Sequence, residues 1–320
     1  MFYGPISPAS IYRRPSLIMP NVNGVSASYQ HPAMPTDKRA GDMSETLAKF
    51  EGLLQRVRSA LILLPFVIAP VIFGGWSFTL LLAIAGFLMA REWGNLLSAS
   101  PREGMALGIA VVLILGFGLL VNPIDAISVL IVGSLAYAAY CLVGGRRLAP
   151  IVGGLYYVAL PLIAAQFLRL DPLGMFVIGY ILLSVWAVDI FAMFSGKLIG
   201  GPKLAPIISP KKTWAGLFGG MVGAALAAGM SFLTVVGFGF GDMQFTAIMV
   251  IAPLLAICAQ AADLFESAIK RRYDVKDSGA IIPGHGGLLD RVDGLIGVLI
   301  VALIIVVWRG GASSAALWVW

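Results

Sequence analysis

The residues best equipped for chemistry lie between Asp263 and Asp293, where 11 charged side chains and one histidine occupy 31 positions, DLFESAIKRRYDVKDSGAIIPGHGGLLDRVD. Six are acidic (Asp263, Glu266, Asp274, Asp277, Asp290, Asp293) and five basic (Lys270, Arg271, Arg272, Lys276, Arg291). Carboxylates gathered with lysines suit a site that holds a hard divalent cation through oxygen and phosphates through ammonium groups. The plain alternative is a solvated segment with helical ion pairs, such as Glu266 to Lys270 at i, i+4. On a helix, Asp263, Ser267 and Lys270 share one face, and Asp290 and Asp293 share a face in the first turn of the next helix, where the dipole favours carboxylates. Asp263, Asp290 and Asp293 could then converge on magnesium or manganese; zinc would want sulfur or a second histidine nearby. Between the two helices, Pro283, Gly284, His285, Gly286 and Gly287 form a segment whose backbone could approach a ligand closely, or simply turn.

Two further groups stand out. In KLAPIISPKKTWAG, Ser209 reads as a helix N-cap with Pro210 at the first helical position, which puts Lys211 and Lys212 in the opening turn. Lysines there oppose the helix dipole, a conflict that an anion bound among them and Thr213 would remove. Otherwise they only mark one side of a membrane. Asp189, in WAVDIFAMF, is an ionisable group inside an apolar run, and such a group is a functional candidate unless it reaches interfacial water.

These residues are carried by a membrane scaffold. The chain has 320 residues, 59% hydrophobic and 12% charged, with a mean hydropathy of +0.92, against about 25% charged in soluble domains. This excludes a soluble globular enzyme and a disordered chain. Cys141 and Cys258 lie in apolar runs and cannot form a disulfide framework or a zinc site. Nine apolar segments of roughly membrane length run over 59–74, 76–90, 104–121, 124–143, 149–168, 173–194, 214–237, 245–262 and 294–308. The first two are short and parted only by Gly74 and Gly75, so they form either a tight hairpin or one bent helix, and the expectation is eight or nine transmembrane helices. Threaded with the N-terminus in the cytoplasm, 20 of the 22 Lys and Arg fall on the cytoplasmic side; Arg169 and Arg309 do not. The positive-inside rule therefore accounts for the net charge of +6, and nucleic acid is not needed to explain it. The fold expected is an all-α polytopic integral membrane protein with a cytoplasmic-facing polar site.

Residues 1–45 are polar, hold six of the 18 prolines and lack the apolar core of a signal peptide, so a disordered extension is expected there. Met43 opens a second plausible start, MSETLAKFEGLLQRVRSALILLP. Residues 46–310 form the membrane domain and 311–320 a short tail.

The run from Ser267 to Asp293, SAIKRRYDVKDSGAIIPGHGGLLDRVD, closely resembles the signature of phosphatidate cytidylyltransferases, the CDP-diacylglycerol synthases, and SPKKT resembles that family's upstream conserved segment. Ala262, Ala215, Ile190 and Phe191 depart from the family pattern, whereas the aspartates and lysines keep to it. The resemblance implies that the phosphate of phosphatidic acid attacks the α-phosphorus of CTP, giving CDP-diacylglycerol and pyrophosphate in phospholipid biosynthesis. It implies Mg2+ on Asp263, Asp290 and Asp293, with room for a second cation, and Lys270 among the catalytic residues. Ser209, Lys211, Lys212, Thr213, Ser267, Lys276, Asp277, His285, Arg291 and Asp189 become substrate contacts. The implied setting is the inner (plasma) membrane with the active site cytoplasmic, as a monomer or a homodimer. Alternatives are a related enzyme acting on another lipid phosphate, or an ion-coupled secondary transporter, which would show charge in several spans and an internal repeat. A CDP-alcohol phosphotransferase lacks support because its paired Asp-Gly pattern is absent.

Overall fold

In a computed structural model that describes residues 61–97, 101–144, 149–240, 244–279, 281, 286–310 and 314–317, the apolar runs are helices. Among these residues the α-helices are α1 Leu61–Phe73, α2 Gly75–Leu96, α3 Pro101–Leu120, α4 Pro123–Gly144, α5 Ala149–Leu168, α6 Gly174–Leu198, α7 Trp214–Gly237, α8 Phe245–Arg272 and α9 Leu289–Trp308. They match the nine apolar segments one for one. Six of them, α3 and α5 to α9, are long and apolar enough to cross a membrane; α1 is a shorter apolar helix. In a bilayer every backbone group must be satisfied within the protein, and uninterrupted helices do this. The fold is all-α and polytopic.

The sequence left open how α1 meets α2. Gly74 (φ +67°) and Gly75 (φ +53°) both adopt left-handed backbone, which breaks the helix, and α1 and α2 then wall the same cavity, so the chain turns back. Arg169 fixes the turn by donating from Nε to Val71 O (2.6 Å) and from Nη2 to Ile72 O (2.7 Å), the last carbonyls of α1. A side chain on Gly74 would strike that guanidinium at 2.8 Å.

α5 is the central helix, packed against α2, α3, α4 and α9. Small residues bring the site-bearing helices together. Gly216, Gly220 and Gly223 of α7 lie on α6, where added Cβ atoms would come within 3.0 Å of Ala192 O, 3.1 Å of Val188 Cγ1 and 2.7 Å of Ala187 O. Gly294 and Gly297 of α9 lie in the same way on Ala259, Cys258 O and Ala262 of α8. Ala262, a departure from the family pattern, is thus a packing residue. Alternating helix direction gathers the C-terminal ends of α2, α6 and α8 and the N-terminal ends of α7 and α9 at one end of the bundle; Arg169 and Arg309 sit at the other.

Candidate active site

The SPKKT segment differs from its expected form. Ser209–Thr213 is a strand, β2, paired antiparallel with β1 (Lys203–Ala205), with Lys203 opposite Thr213 and Ala205 opposite Ser209. Helix α7 starts only at Trp214, and its cap is Thr213, whose hydroxyl accepts from Gly216 N at 3.0 Å. Lys211 and Lys212 therefore stand in a hairpin and not in a helical turn, so no conflict with the dipole arises. Ser209 is half-buried and Lys211 exposed. Lys212 turns inward until its Nζ is 2.5 Å from Asp263 Oδ2, close enough for an ion pair though not aligned as a hydrogen bond.

An acid cleft follows from this contact. Helix α8 continues through Arg272, as the face shared by Asp263, Ser267 and Lys270 predicts, and Ser267 Oγ donates to Asp263 Oδ1 at 3.3 Å. The α8–α9 packing sets Asp293 beside Asp263, and Asp189 of α6 faces the pair; the charges of Asp263 and Asp189 both reach Asp293. Lys212 and Arg291 supply the positive charge that acts on Asp189. Asp189 and Arg291 are exposed, and Asp263 and Asp293 partly so. Acids on three helices, one ammonium and one guanidinium thus lie within electrostatic reach of one another, each at least partly exposed; this grouping is the acid cleft.

Asp290 belongs elsewhere. Its Oδ1 accepts from Lys270 Nζ (2.8 Å) and Ser278 N (3.1 Å), and its Oδ2 from Ser278 N (3.0 Å) and Gly287 N (3.1 Å). Both oxygens are taken up, by Lys270 of α8 and by amides of the segment joining α8 to α9. Lys270 also donates to Glu266 Oε1 at 3.1 Å, the i, i+4 pair expected, and Glu266 receives the Tyr157 hydroxyl at 3.2 Å. The side chains of Lys270, Glu266 and Asp290 are 11%, 1% and 8% exposed, so this network is more deeply buried than Asp189 and Asp263, although the charge of Glu266 also reaches Asp293. Among the described residues no group of three His, Cys, Asp or Glu is placed to hold a metal.

Glu92 is not among the residues whose spacing points to chemistry. It lies near the C-terminal end of α2 at 1% exposure, and accepts from Leu288 N on Oε1 (2.8 Å), Leu289 N on Oε2 (2.8 Å) and Ser278 Oγ on Oε2 (3.2 Å). Helix α9 begins at Leu289 with Leu288 as N-cap and no capping side chain of its own. Glu92 supplies that cap from about 200 residues away, and its negative charge suits the helix end. Gly287 is required by this contact: a Cβ there would lie 2.1 Å from Ser278 Oγ and 2.9 Å from Glu92 Oε2. The signal available in the sequence was an acid beside Arg91, where topology calls only for bases.

Lys276 and Asp277 are exposed on the same segment, which leaves α8 through Asp274 in left-handed backbone (φ 55°), closed by Val275 N on Lys270 O at 3.0 Å. His285, with Pro283 and Gly284, lies outside the described residues, as do residues 1–45, Met43 and Cys-free tail positions 311–313 and 318–320.

Several characterised proteins are similar to this chain. A 233-residue stretch is 40% identical to a phosphatidate cytidylyltransferase of Brucella abortus biovar 1 (strain 9-941), covering 70% of this chain and 82% of that protein. Over 194 residues it is 37% identical to one from Rickettsia felis (strain ATCC VR-1525 / URRWXCal2), covering 56% and 85%, and over 147 residues 45% identical to one from Rickettsia bellii (strain RML369-C), covering 45% and 63%. A family model described as the cytidylyltransferase family matches residues 54–308, nearly the whole membrane domain, and the chain belongs to that family.

Proposed function

We propose that the protein transfers the cytidylyl group of CTP to phosphatidic acid, forming CDP-diacylglycerol and pyrophosphate. The observation that carries this is the acid cleft, in which Asp189, Asp263 and Asp293 stand with Lys212 and Arg291 where α6, α8 and α9 meet the β1–β2 hairpin. In the reaction an oxygen of the lipid phosphate forms a bond to the α-phosphorus of CTP while the bond from that phosphorus to the bridging oxygen of the β-phosphate breaks. The electron pair leaves on pyrophosphate. Joining two anions needs charge neutralisation and alignment more than a protein nucleophile, because the lipid phosphate already is one.

Lys212 and Arg291 neutralise phosphate oxygens in this scheme, with Lys211 and Lys276 at the exposed margin drawing the triphosphate in. Ser267 orients Asp263. Asp290, Lys270 and Glu92 hold the α8–α9 segment in place. A divalent cation fits the donor set: Asp263 and Asp293 offer hard oxygens on facing helices, and magnesium is commonly held by one or two carboxylates plus substrate phosphates. When bound, it would withdraw charge from the phosphates at the reacting phosphorus. The distribution of Lys and Arg supports a cytoplasmic position for the cleft, where CTP is found, in the inner membrane of the cell.

The test is purified protein in mixed micelles with CTP, magnesium and a panel of lipid phosphates, scoring CDP-lipid. Formation of CDP-diacylglycerol with release of pyrophosphate is expected for phosphatidic acid. Turnover only with a different lipid phosphate would refute the substrate, and no CTP consumption with any of them would refute the reaction.

A further inference from the structure

Chain reversals at Gly74–Gly75, between α3 and α4, and between α5 and α6 leave a cavity of about 340 Å³ at the end of the bundle opposite the acid cleft. Two of its lining residues, Thr79 and Gln166, are polar although only 6% and 4% exposed. Gln166 Nε2 donates to Thr79 Oγ1 (2.9 Å) and to Leu115 O (3.1 Å), while Thr79 Oγ1 donates to Gly75 O (3.2 Å). Leu115 O can only accept, so the amide cannot be turned over. Its Oε1 is thereby held beside Gly118, 2.6 Å from where a Cβ would stand, and has no hydrogen-bond partner. A buried acceptor in that state is costly, and a donor brought to this wall would relieve it.

The same cavity holds one charge of each sign. Arg169 and Asp171 both line it, two positions apart on the link to α6 and within electrostatic reach of each other. Arg169 gives two of its five N–H donors to Val71 O and Ile72 O, which fixes the guanidinium at the cavity wall. A guanidinium so held suits a phosphate. An anion alone would be opposed by Asp171 and a cation alone by Arg169, whereas a ligand with both charges a few bonds apart satisfies the two residues together. Gln166 adds the requirement for an N–H or O–H donor. Phosphoethanolamine meets all three conditions, with a phosphate and an ammonium that has three donors; phosphocholine lacks the donors. The volume is near the lower end of the range of about 300–1,000 Å³ for small-molecule sites, which suits a headgroup and not a whole lipid. Around the opening, Phe73, Leu119 and Leu170 of the lining and the neighbouring Trp76 are exposed, as side chains at a membrane interface are.

We propose that this cavity binds the headgroup of a phospholipid bearing phosphoethanolamine, in the leaflet opposite the acid cleft, with the phosphate on Arg169 and the ammonium toward Asp171 and Gln166. The acyl chains stay outside, along Phe73 and Leu119. The site is separate from the reaction assigned to the acid cleft and does not depend on it.

The experiment titrates the full chain, purified in detergent and freed of lipid, with dioleoyl phosphatidylethanolamine, phosphatidylcholine and phosphatidylglycerol, and reads binding by native mass spectrometry. The ethanolamine lipid should bind at least fivefold more tightly than either of the others. Asp171→Asn should weaken its binding at least fivefold and leave that of the choline lipid unchanged, and Gln166→Met should remove the preference for ethanolamine over choline. If Gln166→Met fails to fold, Asp171→Asn, which alters a partly exposed residue of the α5–α6 link, decides by itself. Equal binding of the three lipids, or binding of the ethanolamine lipid unchanged in Asp171→Asn, overturns the proposal. Soluble competitors identify the source of the recognised group. Displacement of the lipid by glycerophosphoethanolamine and not by inorganic phosphate at the same concentration supports the headgroup, whereas equal displacement by inorganic phosphate overturns it in favour of a plain anion site.

Discussion

Replacing Glu92 by Gln tests the idea that a side chain outside the signature holds the catalytic segment. In the native arrangement separate oxygens accept Leu288 N and Leu289 N at 2.8 Å, and the second also accepts Ser278 Oγ. A carboxamide has one oxygen. In its better orientation it keeps Leu289 N and Ser278 and turns its NH2 toward Leu288 N, so two donors face each other in a site 1% exposed. Losing a charge-assisted bond and leaving a buried backbone donor unmatched together cost about 2–4 kcal/mol. At about 1.4 kcal/mol per decade, the ratio of seated to displaced segment falls roughly 30- to 1000-fold. Ser278 N is one of the amides that hold Asp290, and α9 carries Asp293, so the loss passes to the cleft through the backbone. The expected result is a fall in kcat of at least tenfold in the micelle assay with the KM for CTP moved less than threefold, since Glu92 does not touch the cleft. Limited trypsin cleavage after Lys276 should accelerate in native detergent solution. Turnover within twofold of the unaltered protein together with unchanged cleavage would refute the positioning role.

Lys212→Met leaves Asp263 without its ion-pair partner and should raise the KM for CTP at least tenfold in initial-rate measurements. Tyr157→Phe removes one bond to Glu266, which costs about 1 kcal/mol, and should lower the thermal midpoint slightly with near-normal turnover. Gly223→Val drives a side chain into Ala187 O, 2.7 Å from where its Cβ would stand, and should lower the midpoint by the cost of overpacking, about 1–3 kcal/mol. Asp290→Ala strips Lys270 and two amides of their partner and should destabilise by about 3–5 kcal/mol, whereas Asp293→Ala should remain folded and lose magnesium-dependent turnover, as read by melting curves beside activity.

Much of this was legible because it is local. Continuous apolar runs gave the helices, and the i, i+4, i+7 face of Asp263, Ser267 and Lys270 required α8 to extend past its apolar part, as it does. The Glu266–Lys270 pair was visible for the same reason. What failed to show was set by pairing across distance. Ser209-Pro210 looks like a helix start by local preference, but Lys203–Ala205 offers a partner strand, and Thr213, four residues on, is an equally good cap that leaves the lysines in the hairpin. Glu92 is invisible to any local pattern, since its partners lie 186 to 197 residues away. The packing of Gly216, Gly220 and Gly223 on α6 also depends on a partner distant in sequence.

The three aspartates of the signature look equivalent in sequence and are not equivalent in the fold. Asp290 and Asp293, three residues apart, point about 60° apart around the helix axis, and that angle is enough to assign them to different neighbours. Asp290 meets the segment that precedes α9, where amides of Ser278 and Gly287 and the ammonium of Lys270 consume its acceptors; Asp293 meets α8 at Asp263. A carboxylate saturated by amides is a poor metal ligand and a good anchor, and one facing another carboxylate is the reverse, because only a cation or a proton relieves the pair. The short spacing therefore does two jobs in one turn: Asp290 anchors the segment before α9, and Asp293 is left on the face turned to Asp263, which Lys212 pairs from the hairpin.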